Sequence, residues 1–92
     1  MAQVVYTSNA LANLERAFAL LAEHDPSAAA IRDAVRLLAD HPLVGRRVEG
    51  EIRELVISYG KTGYIALYRF LPEQQQIRIL AIRHQRELDF PG

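Results

Sequence analysis

His84 stands between Arg83 and Arg86, directly after the most hydrophobic run of the 92-residue chain, Ile79-Leu80-Ala81-Ile82. An imidazole, with an ordinary pKa of about 6.5, gives and takes protons at neutral pH. RNA cleavage also needs a cation beside the scissile phosphate, and Arg53, Arg69, Arg83 and Arg86 could supply it. Glu54 could act as a base. His84, Glu54 and Arg83 are therefore the set from which a nuclease centre could be assembled. The plain alternative is a sheet end closed by His84 and Arg83, paired with Glu54 or Glu87.

Arg53 and Arg69 pose the same choice. Strand alternation groups Arg53 with Leu55, Ile57 and Tyr59, and Arg69 with Ile65, Leu67 and Leu71. A cation on such a face must reach the rim or meet a carboxylate, because burying it alone is costly. Glu51 and Glu54 are the expected partners if the role is structural. An effector-facing patch of Arg53, Arg69, Arg83, His84 and Arg86 is the functional reading. Tyr64 and Tyr68 alternate with Ala66 and Phe70, which reads as sheet core beneath helices. Arg46 and Arg47 fall in a glycine-flanked loop as exposed cations. His24 and His41 sit at helix ends, where terminal carbonyls can occupy them.

The elements that must position these groups are legible in outline. Residues 3–6 are β-prone, and Thr7, Ser8 and Asn9 can each cap a helix. Leu11, Leu14, Phe18 and Leu21 then recur at helical spacing. His24-Asp25-Pro26 breaks that helix, and a second begins with Pro26 in its first turn, where the missing N–H costs nothing. Ala28, Ile31, Val35 and Leu38 form its stripe, and Asp40-His41-Pro42 stops it. Beyond a loop over 43–50 the period becomes two. Strands are expected over 52–59, 64–71 and 76–83, joined by turns at Gly60-Lys61-Thr62-Gly63 and Pro72-Glu73-Gln74-Gln75. The expected fold is α+β: a short N-terminal strand and an αα-hairpin on a three- to four-stranded, mainly antiparallel sheet.

Composition narrows the class. The length fits a single domain over residues 1–92 with a thin stability margin. There is no cysteine, so neither a disulfide nor a thiolate metal site can form. Glycine-rich phosphate loops, metal-ligand spacings and Ser-His-Asp sets are absent from the sequence, so no metal or cofactor is expected. The opening residues MAQVVYTSNA lack signal-peptide regions, and no apolar run approaches a membrane span. The expected setting is cytoplasmic. Net charge is zero, with three arginines against five carboxylates in the first 45 residues and eight cations against six thereafter. A dedicated RNA binder is usually more basic.

The His41-Pro42-Leu43-Val44-Gly45-Arg46 loop, the Arg53-Glu54-Leu55 strand, the Gly63-Tyr64-Ile65-Ala66-Leu67-Tyr68-Arg69 strand and the closing Arg83-His84-Gln85-Arg86 follow an opening helical hairpin. In this order they resemble the RelE/ParE superfamily of toxins from type II toxin–antitoxin systems, over essentially the whole chain. The Arg-Glu-Leu, Tyr-x-x-x-Tyr-Arg and Ile-x-His-x-Arg elements look more like the ParE branch. The resemblance implies a cytoplasmic bacterial protein of a plasmid-stabilisation type system, forming a hetero-oligomer with a partly disordered antitoxin. A ParE-like member would inhibit DNA gyrase by protein binding, with no established catalytic residues. A RelE-like member would be a ribosome-dependent mRNA endoribonuclease, with His84, Glu54 and Arg83 as the candidate catalytic set. A degenerate member would bind its antitoxin without toxicity. Two departures weigh against the nuclease branch: no basic residue opens the 64–71 strand, and Gln85 and Phe90 stand where that branch tends to place a functional tyrosine. An edge on the last strand, and an apolar groove on the helical hairpin, are where an antitoxin strand and helix would dock.

Overall fold

The computed structural model describes residues 2–20, 26–59 and 62–84. Along the chain run β1 (Gln3–Tyr6), α1 (Ser8–Leu20), α2 (Pro26–Asp40), β2 (Arg46–Glu49), β3 (Ile52–Tyr59), β4 (Thr62–Leu71) and β5 (Gln76–His84). The strands form one sheet in the order β1-β5-β4-β3-β2, with β1 parallel to β5 and the other neighbours antiparallel. Both helices cover the same face. The α+β architecture matches the expectation, but the described residues contain five strands rather than three or four. The extra one is β2, inside the stretch expected to be a loop. Its residues Arg46-Arg47-Val48-Glu49 carry no apolar alternation, and its position comes from pairing with β3. Gly50, at φ 54, takes a backbone conformation that glycine adopts readily and lets the chain reverse over Gly50 and Glu51.

The helices start where local chemistry says they should. Thr7 caps α1, its Oγ1 accepting the Ala10 N–H at 3.1 Å, and α2 opens on Pro26. The buried side of α1 takes only part of the leucine stripe, with Leu14 packed partly buried against the core. Ala10, Asn13 and Ala17 face the sheet, while Leu11 is 46% exposed. Small side chains bring α1 close to β5, on which it packs. Ile31 and Leu38 anchor α2 as expected. With Tyr68, Ile77 and Ile79 they are the largest fully buried side chains. The expected break at His24-Asp25 and the turn at Gly60-Lys61 lie outside the described residues. Among the described residues, no helix is long and apolar enough to cross a membrane.

β5 contains an irregularity that the sequence pattern did not reveal. Ala81 pairs with Leu67 and Ile79 with Tyr68, which leaves Leu80 as an extra residue in the ladder. The backbone groups freed there are taken by the start of α1. Thr7 Oγ1 and Asn9 Nδ2 donate to the Leu80 carbonyl at 3.2 and 3.1 Å. Asn13 Oδ1 accepts the Ile82 N–H at 3.1 Å in the interior. Replacing Asn13 with Ala would leave that buried N–H without its acceptor, which costs about 1–3 kcal/mol. Urea denaturation should show Asn13→Ala losing stability in that range with an unchanged slope; an unchanged midpoint would mean the bulge does not depend on Asn13.

Candidate functional site

The sheet divides the candidate residues between its two faces. Cross-strand pairs share a face, so the pairings Arg53–Tyr68 and Tyr64–His84 place Arg53 and His84 on the helix-covered side. The pairings Glu54–Leu67, Ile52–Arg69 and Ile65–Arg83 place Glu54, Arg69 and Arg83 on the helix-free side. Arg86, with Glu87 and Phe90, lies outside the described residues. The nuclease set is therefore separated: His84 is on one face, Glu54 and Arg83 on the other. Of the effector set, only Arg69 and Arg83 share the helix-free face. They sit about 13 Å apart along the sheet, since Arg83 pairs with Ile65, four residues before Arg69.

The contacts explain why each group stands where it does. His84 is half-buried and meets the edge of Tyr64, ring centroids 5.2 Å apart and planes at 83°. Arg83 donates from its guanidinium to the His84 carbonyl at 3.2 Å. The Glu54 carboxylate is joined to Arg46 at 2.5 Å across β2 and β3. Arg47 lies near Glu51 at 3.6 Å and donates to the Gly50 carbonyl at 3.1 Å. Arg46 and Arg47 are thus strand residues engaged by carboxylates, not loop cations.

Arg53 does not pair with Glu51 or Glu54. Its guanidinium donates to the carbonyls of Gly45, at 2.8 Å, and Leu43, at 3.3 Å. Beside it, the fully buried Tyr68 hydroxyl donates to the Pro42 carbonyl and accepts the Gly45 N–H, both at 2.8 Å. Together these bonds fasten residues 42–45, which lead from α2 into β2, onto the sheet. Only glycine fits at position 45. A Cβ there would lie 2.6 Å from the Tyr68 ring and 2.7 Å from the Glu54 carbonyl. Burial raises the Tyr68 pKa above its ordinary value, opposed by the Gly45 N–H bond and the nearby Arg53 charge.

Arg69 is exposed and forms no ion pair or hydrogen bond among the described residues. Directly across from it stands Arg78, which sequence reading did not single out. Arg78 donates to Gln76 Oε1 at 3.1 Å. The outward alternation of Arg69 was readable, but the partner needed the β4–β5 register. β1 covers the β5 edge over Gln76–Ile79, and α1 side chains bond the β5 backbone at Leu80 and Ile82 beyond it; the outermost strands of the sheet are β1 and β2. Among the described residues, no group of three or more acidic or histidine side chains is arranged to hold a metal.

Comparison with known proteins follows the same lines. The family profile described as the ParE toxin of type II toxin–antitoxin systems, parDE, matches residues 4–89. Toxin RelE3 of Caulobacter vibrioides is 42% identical over 50 residues, 54% of this chain and 52% of that protein. The chain thus spans about half the length of this curated relative. The isolated E. coli RelE toxin superposes with a TM-score of 0.72, covering 97% of this chain and 89% of that one. A chain of the intact E. coli RelBE toxin–antitoxin complex gives 0.69, covering 89% of this chain and 94% of that one. At 10% identity in both cases, the likeness to these structures is one of fold alone.

The buried phenol sets a measurable pH dependence. Its pKa is raised in the folded state above the ordinary 10.0, as is that of Tyr6 by burial. Above that pH the unfolded chain ionises first, so stability is full below about pH 10 and falls as pH rises beyond it. Tyr68→Phe should cost about 1–3 kcal/mol at neutral pH, because Pro42 and Gly45 lose their shared partner. Denaturation from about pH 8 to pH 11 should show a shallower alkaline loss in Tyr68→Phe. Identical pH profiles for both proteins would overturn the assignment.

Proposed function

The chain belongs to the ParE toxin family of type II toxin–antitoxin systems, and from that membership we propose that it inhibits DNA gyrase by protein binding and is neutralised by a cognate antitoxin. The observation that carries the mechanism is the separation of His84 from Glu54 and Arg83 by the sheet. Acid–base cleavage needs its proton donor and acceptor within reach of one scissile bond, and a set divided between the two faces supports that reading less well than binding. A protein partner has no such requirement. It needs a surface with complementary charge and shape, and the helix-free face presents Arg69 and Arg83, with Arg78 beside Arg69. Arginine suits this work because its planar fork binds carboxylates through two parallel hydrogen bonds. Arg53 instead serves the fold, through the carbonyls of Leu43 and Gly45. The proposed action is cytoplasmic, because gyrase is.

A second reading rests on the 50-residue stretch shared with a protein named Toxin RelE3. On it the chain would be a ribosome-dependent mRNA endoribonuclease. Arg69 and Arg83 would then hold phosphate, and His84 would have to act from the opposite face or yield its role to another group.

Tightly controlled expression, followed at the level of both transcripts and DNA, separates the two. The proposal expects a DNA-damage response, inhibition of supercoiling by purified gyrase, and intact transcripts. The double variant Arg69→Ala, Arg83→Ala should weaken gyrase inhibition at least about tenfold, equivalent to about 1.4 kcal/mol of binding. His84→Ala should leave inhibition within about twofold of the parent, a difference of under about 0.5 kcal/mol. Ribosome-dependent transcript cleavage that disappears in His84→Ala would overturn the gyrase reading. A folded protein with no toxicity would assign the chain to the degenerate class.

A further inference from the structure

We infer that the hollow at the C-terminal end of α2 seats an apolar, lysine- or arginine-bearing segment of the cognate antitoxin, an inference that rests on reading the chain as the toxin of such a pair. The hollow is open, about 520 Å³, and lined by Leu37, Asp40, His41, Pro42, Leu43 and Val44. Leu37, Leu43 and Val44 are 40%, 60% and 48% exposed. They are three of the six large apolar side chains exposed among the described residues. Single exposed apolar residues are ordinary, whereas their concentration around one concavity marks a place where something binds.

These side chains are also held still. The backbone that carries them is bonded to Tyr68 through the Pro42 carbonyl and the Gly45 N–H. It is bonded to Arg53 through the Leu43 and Gly45 carbonyls. The Val44 N–H returns to the His41 carbonyl at 3.1 Å. A buried tyrosine and an arginine are thus committed to fixing a loop whose own side chains face water. Fixing the loop beforehand removes an ordering cost that association would otherwise carry. The space suits two or three large side chains, such as the apolar anchors one helical turn apart on an amphipathic helix.

Charge identifies the rest of the partner. α2 has no basic residue in its last turn, and it ends on Asp40. A carboxylate at that position adds to the negative pole of the helix instead of offsetting it. Asp40 makes no ion pair among the described residues. A cation on the bound segment would meet both the carboxylate and the helix end. The antitoxin is favoured over gyrase as the occupant because the hollow belongs to the helical side of the molecule, away from Arg69 and Arg83. Strand addition at the neighbouring edge is disfavoured: β2 is short, charged and bulged, features that blunt an edge.

The test measures affinity for the purified cognate antitoxin together with toxicity. Leu43→Ser with Val44→Ser removes exposed side chains only, so the fold, followed by circular dichroism and melting, should persist. The double variant should bind the antitoxin at least about tenfold more weakly while retaining full toxicity, so that co-expressed antitoxin no longer rescues growth. Asp40→Lys should weaken binding several-fold, and Leu11→Ser, on α1 outside the hollow, should change nothing. Unchanged antitoxin affinity in the double variant overturns the proposal, as does lost toxicity with antitoxin binding intact, which would make the hollow a target-facing surface. Weakened antitoxin binding in a toxin that leaves gyrase untouched would uphold the docking site and remove only the gyrase reading.

Discussion

One additional residue in β5 decides which chemistry each face of the sheet can offer. Up to Ile79, odd-numbered positions of β5 point toward the helices. Leu80 then interrupts the ladder, and beyond it the even-numbered Ile82 and His84 point that way instead. A shift of one residue exchanges the two faces of a strand, so this bulge sends Arg83 to the helix-free side and His84 beneath the helices. Without it the imidazole would stand on the same face as Arg69 and Arg78. The bulge persists because α1 supplies what the broken ladder lacks: Thr7 and Asn9 for the Leu80 carbonyl, Asn13 for the Ile82 N–H. The first turns of a helix thereby determine the placement of a side chain some seventy residues later.

A second fastening works at the opposite edge. Tyr68 and Arg53 hold the chain between α2 and β2, and Gly45 leaves room for the phenol ring. A domain of this size has little apolar surface to bury, so packing alone gives it little margin. Buried hydrogen bonds with every partner satisfied cannot slide as apolar contacts can. They therefore suit a small protein that must hold loop carbonyls and an edge strand in one arrangement. This accounts for a cation on the helix-covered face. Arg53 would be costly there without partners, and two backbone carbonyls provide them.

Much of this was legible in the sequence, and the parts that were not share a cause. Thr7 as a cap, Pro26 as a helix start, and Tyr64, Tyr68 and Ala66 as core follow from local geometry and period. The class of fold and the family resemblance follow from the order of such elements. β2 was missed because Arg46-Arg47-Val48-Glu49 has no pattern of its own and is a strand only by virtue of β3. On α1, Leu14 packs on the core as its spacing suggests, but Leu11 is exposed while Asn13 is buried, and nothing short of the bulge makes an asparagine the better core residue. His84 was grouped with Arg69 and Arg83 as one rim of the sheet, which a single unpaired residue undid. Local propensity predicts elements; register and satisfaction of buried backbone groups require the assembled sheet.

The division of labour between the faces also bears on what a fold of this kind keeps as its sequence diverges. Two solved structures share its course at 10% identity, which leaves almost no side chain to carry a common chemistry. What can be kept at that distance is the backbone arrangement, secured on the helix-covered side by contacts such as those of Tyr68, Gly45 and Asn13. The helix-free face carries few such obligations. Arg69 and Arg78 stand directly opposite one another, an arrangement of like charges that costs some stability. A surface free of structural duty can change its charges without unfolding the domain, so partner or substrate can change while the scaffold stays.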